Sequence, residues 1–191
     1  RVPSQLTVDN NFAKLLGLFL AEGSYRHDVA KRPTGVVFSF GSHEEQLAAF
    51  TATTLALFSK SESKVLFRPA RHLREVYTNN VVFAQFIKNL CGHGAGGKFF
   101  PTPTLRWSKI HLKNLLDGLV AGDGRINPKT GQINLKLKSR DLVWGARLVA
   151  ATLGYAGKVS TVQQKNREIL HYHFSFSPTA GYKRVLENDD Y

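Results

Sequence analysis

A chain of 191 residues, 42% of them hydrophobic, is long enough to bury one continuous core or two small cores packed together. Its 26 Lys and Arg outnumber 14 Asp and Glu, and the resulting formal charge of +12 attracts polyanions, so nucleic acid is the first partner to expect. One cysteine, Cys91, excludes an intrachain disulfide and a thiolate metal cluster. No apolar run approaches the roughly 18 residues that span a bilayer, and no secretory h-region follows Arg1-Val2-Pro3-Ser4. These features lead us to expect an intracellular protein of an organelle or a prokaryotic cytoplasm, with no membrane partner. The start at Arg1 and the lack of methionine are what trimming from something longer would leave.

In chain order, Leu16 to Gly23 (LGLFLAEG) reads as an apolar helix with glycine near its middle, ending in an acidic residue and glycine. Gly35 to Gly41 reads as a strand, and Ser42 with Glu45 forms a capping box that opens a helix from about His43 to Phe58. Leu47, Phe50, Thr54 and Leu57 are expected on the inner face of that helix. Lys64 to Arg68 and Leu73 to Tyr77 predict a hairpin with a basic tip of Arg68, Arg71, His72 and Arg74. Val82, Phe83, Phe86, Ile87 and Leu90 predict a second amphipathic helix. Residues 92–103 read as a linker, flexible at its glycines and stiffer at its prolines. Their spacing fits neither a Walker nor a dinucleotide motif.

The outline then repeats. Asp117 to Gly124 (DGLVAGDG) matches the first motif, roughly half the chain later. Gln132 to Lys138 follows as a strand, and Ser139 caps a helix with Leu142, Val143, Ala146, Val149, Ala150 and Leu153 inside and Gly154 at its stop. A hairpin of Gly157 to Gln163 and Ile169 to Phe176 comes next, and Pro178 opens a short last helix.

Gly17 and Ala21 share one helix face, as do Gly118 and Gly122, so two nearly bare stripes invite close backbone approach. Glu22 and Asp123 then stand at helix C-termini, where the dipole disfavours a negative charge by about 0.3 to 1 kcal/mol. Packed side by side, the two carboxylates also repel each other. A divalent cation held by Glu22, Asp123 and the carbonyls of Ala21 and Gly122 relieves both penalties. Oxygen-only ligands point to Mg²⁺ or Mn²⁺, which can activate water for in-line phosphodiester displacement.

Both segments resemble the LAGLIDADG motif of homing endonucleases, and the repeated order of elements is similar to that family's single-chain members, from about Asn11 to Leu186. The resemblance implies an α+β fold of two pseudo-symmetric αββαββα half-domains packed through the motif helices, with two antiparallel sheets forming a DNA-binding saddle. The boundaries expected are 1–90 and 108–191, with a linker at 91–107, in a monomer. It further implies that Glu22 and Asp123 bind the catalytic metals. Glu22, where the family more often has Asp, implies unequal strand cuts. Ser42, Ser139 and Lys98 are candidates for the polar pocket around the metal.

The strand Gln132 to Lys138 alternates, placing Ile133, Leu135 and Leu137 on one face and Gln132, Asn134, Lys136 and Lys138 on the other. The second set suits major-groove edges and phosphates, as do Ser39 on the first strand and Arg68, Arg71 and Arg74 on the hairpin. His171 and His173 alternate with Tyr172, Phe174 and Phe176; no third ligand is in register, so they are read as DNA-facing rather than as a metal site. The function expected is site-specific hydrolysis of both strands of a long duplex target. The alternatives are an intron-RNA-binding maturase, with or without cleavage, and a DNA-binding regulator that keeps the fold without catalysis. No protein-splicing segment is recognised at either end, which points to a free-standing enzyme.

Overall fold

The computed structural model describes residues 6–163 and 170–178. The first helix, α1 (Asn10–Glu22), is capped by the Asp9 carboxylate, which accepts the Phe12 N–H at 2.7 Å. It leads without a loop into β1 (Gly23–His27) and then β2 (Pro33–Gly41). Next come α2 (Glu45–Ser59), the hairpin β3 (Lys64–Arg68) and β4 (Leu73–Thr78), and α3 (Val81–Cys91). Between the halves lie a two-residue strand β5 (Gly92–His93) and a single helical turn α4 (Gly94–Gly97). The second half runs α5 (Lys109–Asp123), β6 (Gly124–Ile126), β7 (Ile133–Leu137), α6 (Arg140–Thr152), β8 (Gly157–Gln163) and β9 (Leu170–Phe176). The closing helix expected from Pro178, and Ile169 of the last hairpin, fall outside the described residues.

The halves share one topology. The sheets are ordered β1-β2-β4-β3 and β6-β7-β9-β8, antiparallel throughout. Each sheet buries one face under its helices: Val36, Phe38, Phe40 and Val76 in the first, and Ile133, Leu135, Leu137, Phe174 and Phe176 in the second. Period-two alternation leaves the other face of each sheet open.

The motif helices run through the centre of the molecule. Residues Phe12, Ala13 and Leu15 to Leu20 of α1 are all buried, because the helix lies between its own sheet and α5 and therefore needs apolar side chains all round. At the crossing, Gly17 and Gly118 meet. A Cβ placed on Gly17 would fall on the Leu115 carbonyl oxygen and 2.8 Å from the Leu119 nitrogen; one on Gly118 would fall on the Lys14 carbonyl oxygen and 3.0 Å from the Leu18 nitrogen. The helices touch backbone to backbone, a separation that no side chain permits.

Several expectations need correction. The capping box does not form: the Glu44 carboxylate, one residue earlier, accepts the Gly41 N–H at 2.6 Å, and Ser42 sits in the turn with its own N–H bonded to the His72 carbonyl. On α2 the buried positions are Ala48, Thr51, Thr54, Leu55 and Ser59, while Leu57 is exposed. On α3 the inner face is Phe83, Ala84, Ile87 and Cys91, and Val82 and Phe86 are exposed. The glycine-rich start of the linker is an ordered loop. Its ends are bridged Gly92 to Lys98 and His93 to Gly97, and the Tyr25 hydroxyl donates to the Gly92 carbonyl at 2.8 Å.

Replacing Gly17 or Gly118 with alanine forces the two backbones apart, which overpacking data place at about 1–3 kcal/mol or more. Thermal denaturation is expected to show a drop of several degrees for either variant. An unchanged melting temperature would mean that the helices do not touch here.

Candidate metal and nucleic-acid site

Since α1 and α5 cross at their glycines and run on together, their C-terminal ends stay in contact. Gly122 packs against Ala21 and Glu22; a Cβ there would sit 2.5 Å from the Ala21 Cβ and 3.0 Å from the Glu22 Cγ. Glu22 and Asp123 are thus neighbours, each the last residue of its helix and each leading directly into the first strand of its half. Burial, then the nearby Asp123 and Glu44 carboxylates, push the Glu22 carboxyl up from 4.5 to about 7, against an opposing pull from Lys98. Burial also raises Asp123, again opposed by Lys98.

Lys98 is the cation that the fold itself provides. Only 6% exposed, it donates from Nζ to the Phe19, Leu20 and Ala21 carbonyls at 2.8, 3.0 and 3.3 Å, satisfying the open carbonyls at the C-terminal end of α1. Burial lowers its pKa to about 8, with Asp123 the main opposing influence. Its backbone carbonyl accepts the Ser139 hydroxyl, whose oxygen in turn accepts the Leu142 N–H at 3.1 Å and so caps α6. One linker residue therefore ties the end of α1 to the start of α6. Ser139 acts as a cap, and Ser42 makes no equivalent link.

Lys98, Asp123, Lys136, Lys138 and His171 line one cavity, with Leu20 and Ala21 at its wall. Asn134 and His173 lie on the same open face; Asn134 accepts the Ser175 hydroxyl at 2.6 Å, and His173 pairs in register with Lys136 and keeps its Nε2 buried without a hydrogen-bond partner. Gln132 is exposed just before β7. On the first sheet Ser39 lies on the open face opposite Glu75, and Arg68 is paired with Glu75 at 2.8 Å. Arg71 is exposed at the hairpin turn. Arg74 points the other way: it shares the face of Phe40 and Val76, donates to the Ser42 carbonyl at 3.1 Å, lies 3.6 Å from Glu45 and covers the Phe67 ring. The sequence reading missed Arg26, which lies over the Tyr77 ring, as well as Arg125 and Lys158. The alternation in Gly23 to His27 was the available signal for Arg26.

Among the described residues no three His, Cys, Asp or Glu side chains gather around one point. That rules out a closed zinc cage there but suits a hard cation that keeps several waters and takes only one or two carboxylates. The raised Glu22 and Asp123 carboxyls are the observation that fits such an ion: two charges held close together in partial burial, with Lys98 already committed to carbonyls.

An α+β chain whose two equivalent sheets are joined through crossed motif helices has the two-domain LAGLIDADG fold. A crystal structure of I-DmoI in complex with DNA and Mn superposes with a TM-score of 0.64 at 15% identity, covering 93% of this chain and 94% of that one. The N-terminal LAGLIDADG domain of DUF199/WhiA gives 0.53 at 13% identity, over 96% and 83%. Residues 111–188 match the family described as LAGLIDADG-like domain. Residues 111–188 thus carry a LAGLIDADG-like domain, and the chain as a whole has the two-domain fold of these structures.

Among sequence relatives, an ATP-dependent DNA helicase Hel308 of Thermococcus kodakarensis is 31% identical over 167 residues, 83% of this chain and 14% of that protein. An iron-sulfur cluster assembly SufBD family protein of Mycobacterium tuberculosis is 26% identical over 161 residues, again 83% of this chain and 19% of that protein. The chain therefore spans less than a fifth of the length of either relative.

The raised Glu22 pKa makes a signed prediction. In the metal-free protein, its contribution to stability is fully present below about pH 4.5 and is lost as pH rises through about 7. Glu22→Gln should therefore melt higher than the parent at about pH 8, by about 1–2 kcal/mol once the partial exposure of the group is allowed for, and match it at about pH 4. A difference that does not depend on pH, in melts without divalent metal, would refute this.

Proposed function

We propose that this chain is a metal-dependent, site-specific homing endonuclease that hydrolyses both strands of a long double-stranded DNA target. One observation carries the reading: two carboxylates, Glu22 and Asp123, meet at the ends of the motif helices where each helix enters a sheet with a polar, basic open face. The DNA and Mn bound in the I-DmoI structure support it.

Glu22 and Asp123 are the residues that would hold Mg²⁺ or Mn²⁺, with the Ala21 and Gly122 carbonyls beside them. Such an ion supplies an activated water and offsets charge on the phosphate. Lys98 holds the end of α1 and with it the placement of Glu22, while its amine stays close to Asp123. Lys136, Lys138 and His171 present positive and polar groups to a phosphate entering the cavity. Further along the strand, Gln132 and Asn134 are positioned to read base edges; Arg26 and Ser39 take the corresponding task on the first sheet. A formal charge of +12 makes affinity fall steeply with salt.

A stretch of similar length matched inside a helicase and inside an iron-sulfur assembly protein, whose names share no activity, supports a module that moves between host genes. This makes a larger host polypeptide a better reading than the free-standing enzyme first expected.

The test is a cleavage selection: randomised duplexes are incubated with the protein in Mg²⁺ or Ca²⁺ and the cut ends sequenced. Enrichment of one long site in Mg²⁺ is expected, with cutting reduced on the order of 10²-fold or more in Glu22→Gln and Asp123→Asn. Tight, salt-sensitive binding without cutting by the parent would overturn the nuclease assignment, and binding to intron RNA under the same conditions would replace it with a splicing role.

A further inference from the structure

The open face of the first sheet carries apolar side chains among its polar ones. Val36, Phe38, Phe40 and Val76 are buried under the helices, so the residues that alternate with them on β2 and β4 point the other way. Ser24 pairs with Val37, Val37 with Tyr77, and Tyr77 with Lys64; in the next row Ser39 pairs with Glu75, and Glu75 with Leu66. Val37, Tyr77 and Leu66 therefore form an apolar step across three strands of that face. Leu66 is 39% exposed, on a strand exposed along its whole length. The same places on the second sheet are filled differently. Gly23 pairs with Phe38 and Gly124 with Leu135, so Val37 corresponds to Asn134, and its partner Tyr77 to Ser175. There the two side chains are polar and hydrogen-bonded to each other at 2.6 Å. The apolar pair is thus a choice of side chains and not a requirement of the fold.

Arg26 stands beside this step. Its partner on β2 is Gly35, which places no side chain between Arg26 and β4, and its guanidinium lies 4.3 Å from the centroid of the Tyr77 ring. Contact with the ring restrains the guanidinium, whose donors form a planar fork. In the major groove guanine offers O6 and N7 to such a fork, and thymine alone among the four bases offers a methyl group to an apolar side chain.

We propose that the first sheet recognises thymine methyl groups through Val37, Tyr77 and Leu66, beside a guanine read by Arg26. This rests on the duplex-DNA reading above and names the base chemistry of one half of its target. Because uracil lacks the methyl group, the same surface favours DNA over an RNA of equivalent sequence.

The experiment reads binding without cutting. Duplexes that bind the protein in Ca²⁺ are selected from a randomised library, and Kd is measured for variants of the selected site. Each thymine is replaced singly by deoxyuridine, which removes one methyl group and keeps every hydrogen-bonding group. Each guanine is replaced singly by 7-deazaguanine, which removes N7. Deoxyuridine at clustered positions in one half-site should weaken binding roughly fourfold each, the worth of one buried methyl group. Deazaguanine at an adjoining position should weaken it on the order of tenfold. V37T, which keeps the side-chain shape and exchanges a methyl for a hydroxyl, and L66Q, at an exposed position, should each remove most of the deoxyuridine penalty at the base it faces. R26Q should do the same for the deazaguanine penalty. A tightly bound site with no deoxyuridine penalty, or penalties that V37T and L66Q both leave unchanged, would overturn the proposal while the DNA-binding reading stands. A protein that binds no duplex would overturn both, and equal affinity for the RNA form of the selected site would overturn the thymine reading.

Discussion

The backbone contact between α1 and α5 at Gly17 and Gly118 is the constraint on which the other features depend. It fixes the separation of the two halves and the direction in which both helices leave the crossing. It also brings two helix C-termini, each bearing a carboxylate, to one place. Spreading these groups apart would be electrostatically easier. The packing does not permit it, because Phe12, Ala13 and Leu15 to Leu20 are committed to cores on every side of α1.

The charge gathered there is only partly offset from within the chain. Lys98 binds the α1 carbonyls and lowers the cost of ionising Asp123 and Glu22, yet both carboxyls remain above their ordinary values. A group strained in this way gains more from a divalent cation than a solvated carboxylate would, and the interior packing that creates the strain also positions the two carboxylates proposed as ligands. In the proposed metal site, stability and metal affinity would therefore be opposed, with the glycine contact setting the balance.

Much of this was legible in the sequence, because the strongest signals were local. The acid-glycine ends of both motifs, the Lys64–Arg68 strand and the Ser139 cap lie where periodicity and capping rules place them. What escaped depended on contacts between distant residues. Lys98 was named as a pocket candidate, but its bonds to carbonyls 77 to 79 residues away, at the end of α1, have no local pattern that marks them. Leu57, Val82 and Phe86 have helical spacing but lie outside, since spacing defines a stripe and not the side on which the neighbouring sheet lies. Arg74 belongs to a basic tip by composition, yet its register with Phe40 turns it toward α2. The short strands β1 and β6 follow their helices without a turn, so no punctuation announced them.

The most direct test of the central claim, that the crossed helices bring Glu22 and Asp123 together as one metal-binding pair, is an anomalous difference map from crystals of the protein grown with Mn²⁺ and bound duplex. The account predicts a peak bridging or adjoining both carboxylates at about 2.0 to 2.3 Å from their oxygens, absent in crystals of Asp123→Asn. Well-ordered carboxylates with Mn²⁺ bound only elsewhere on the protein would contradict it.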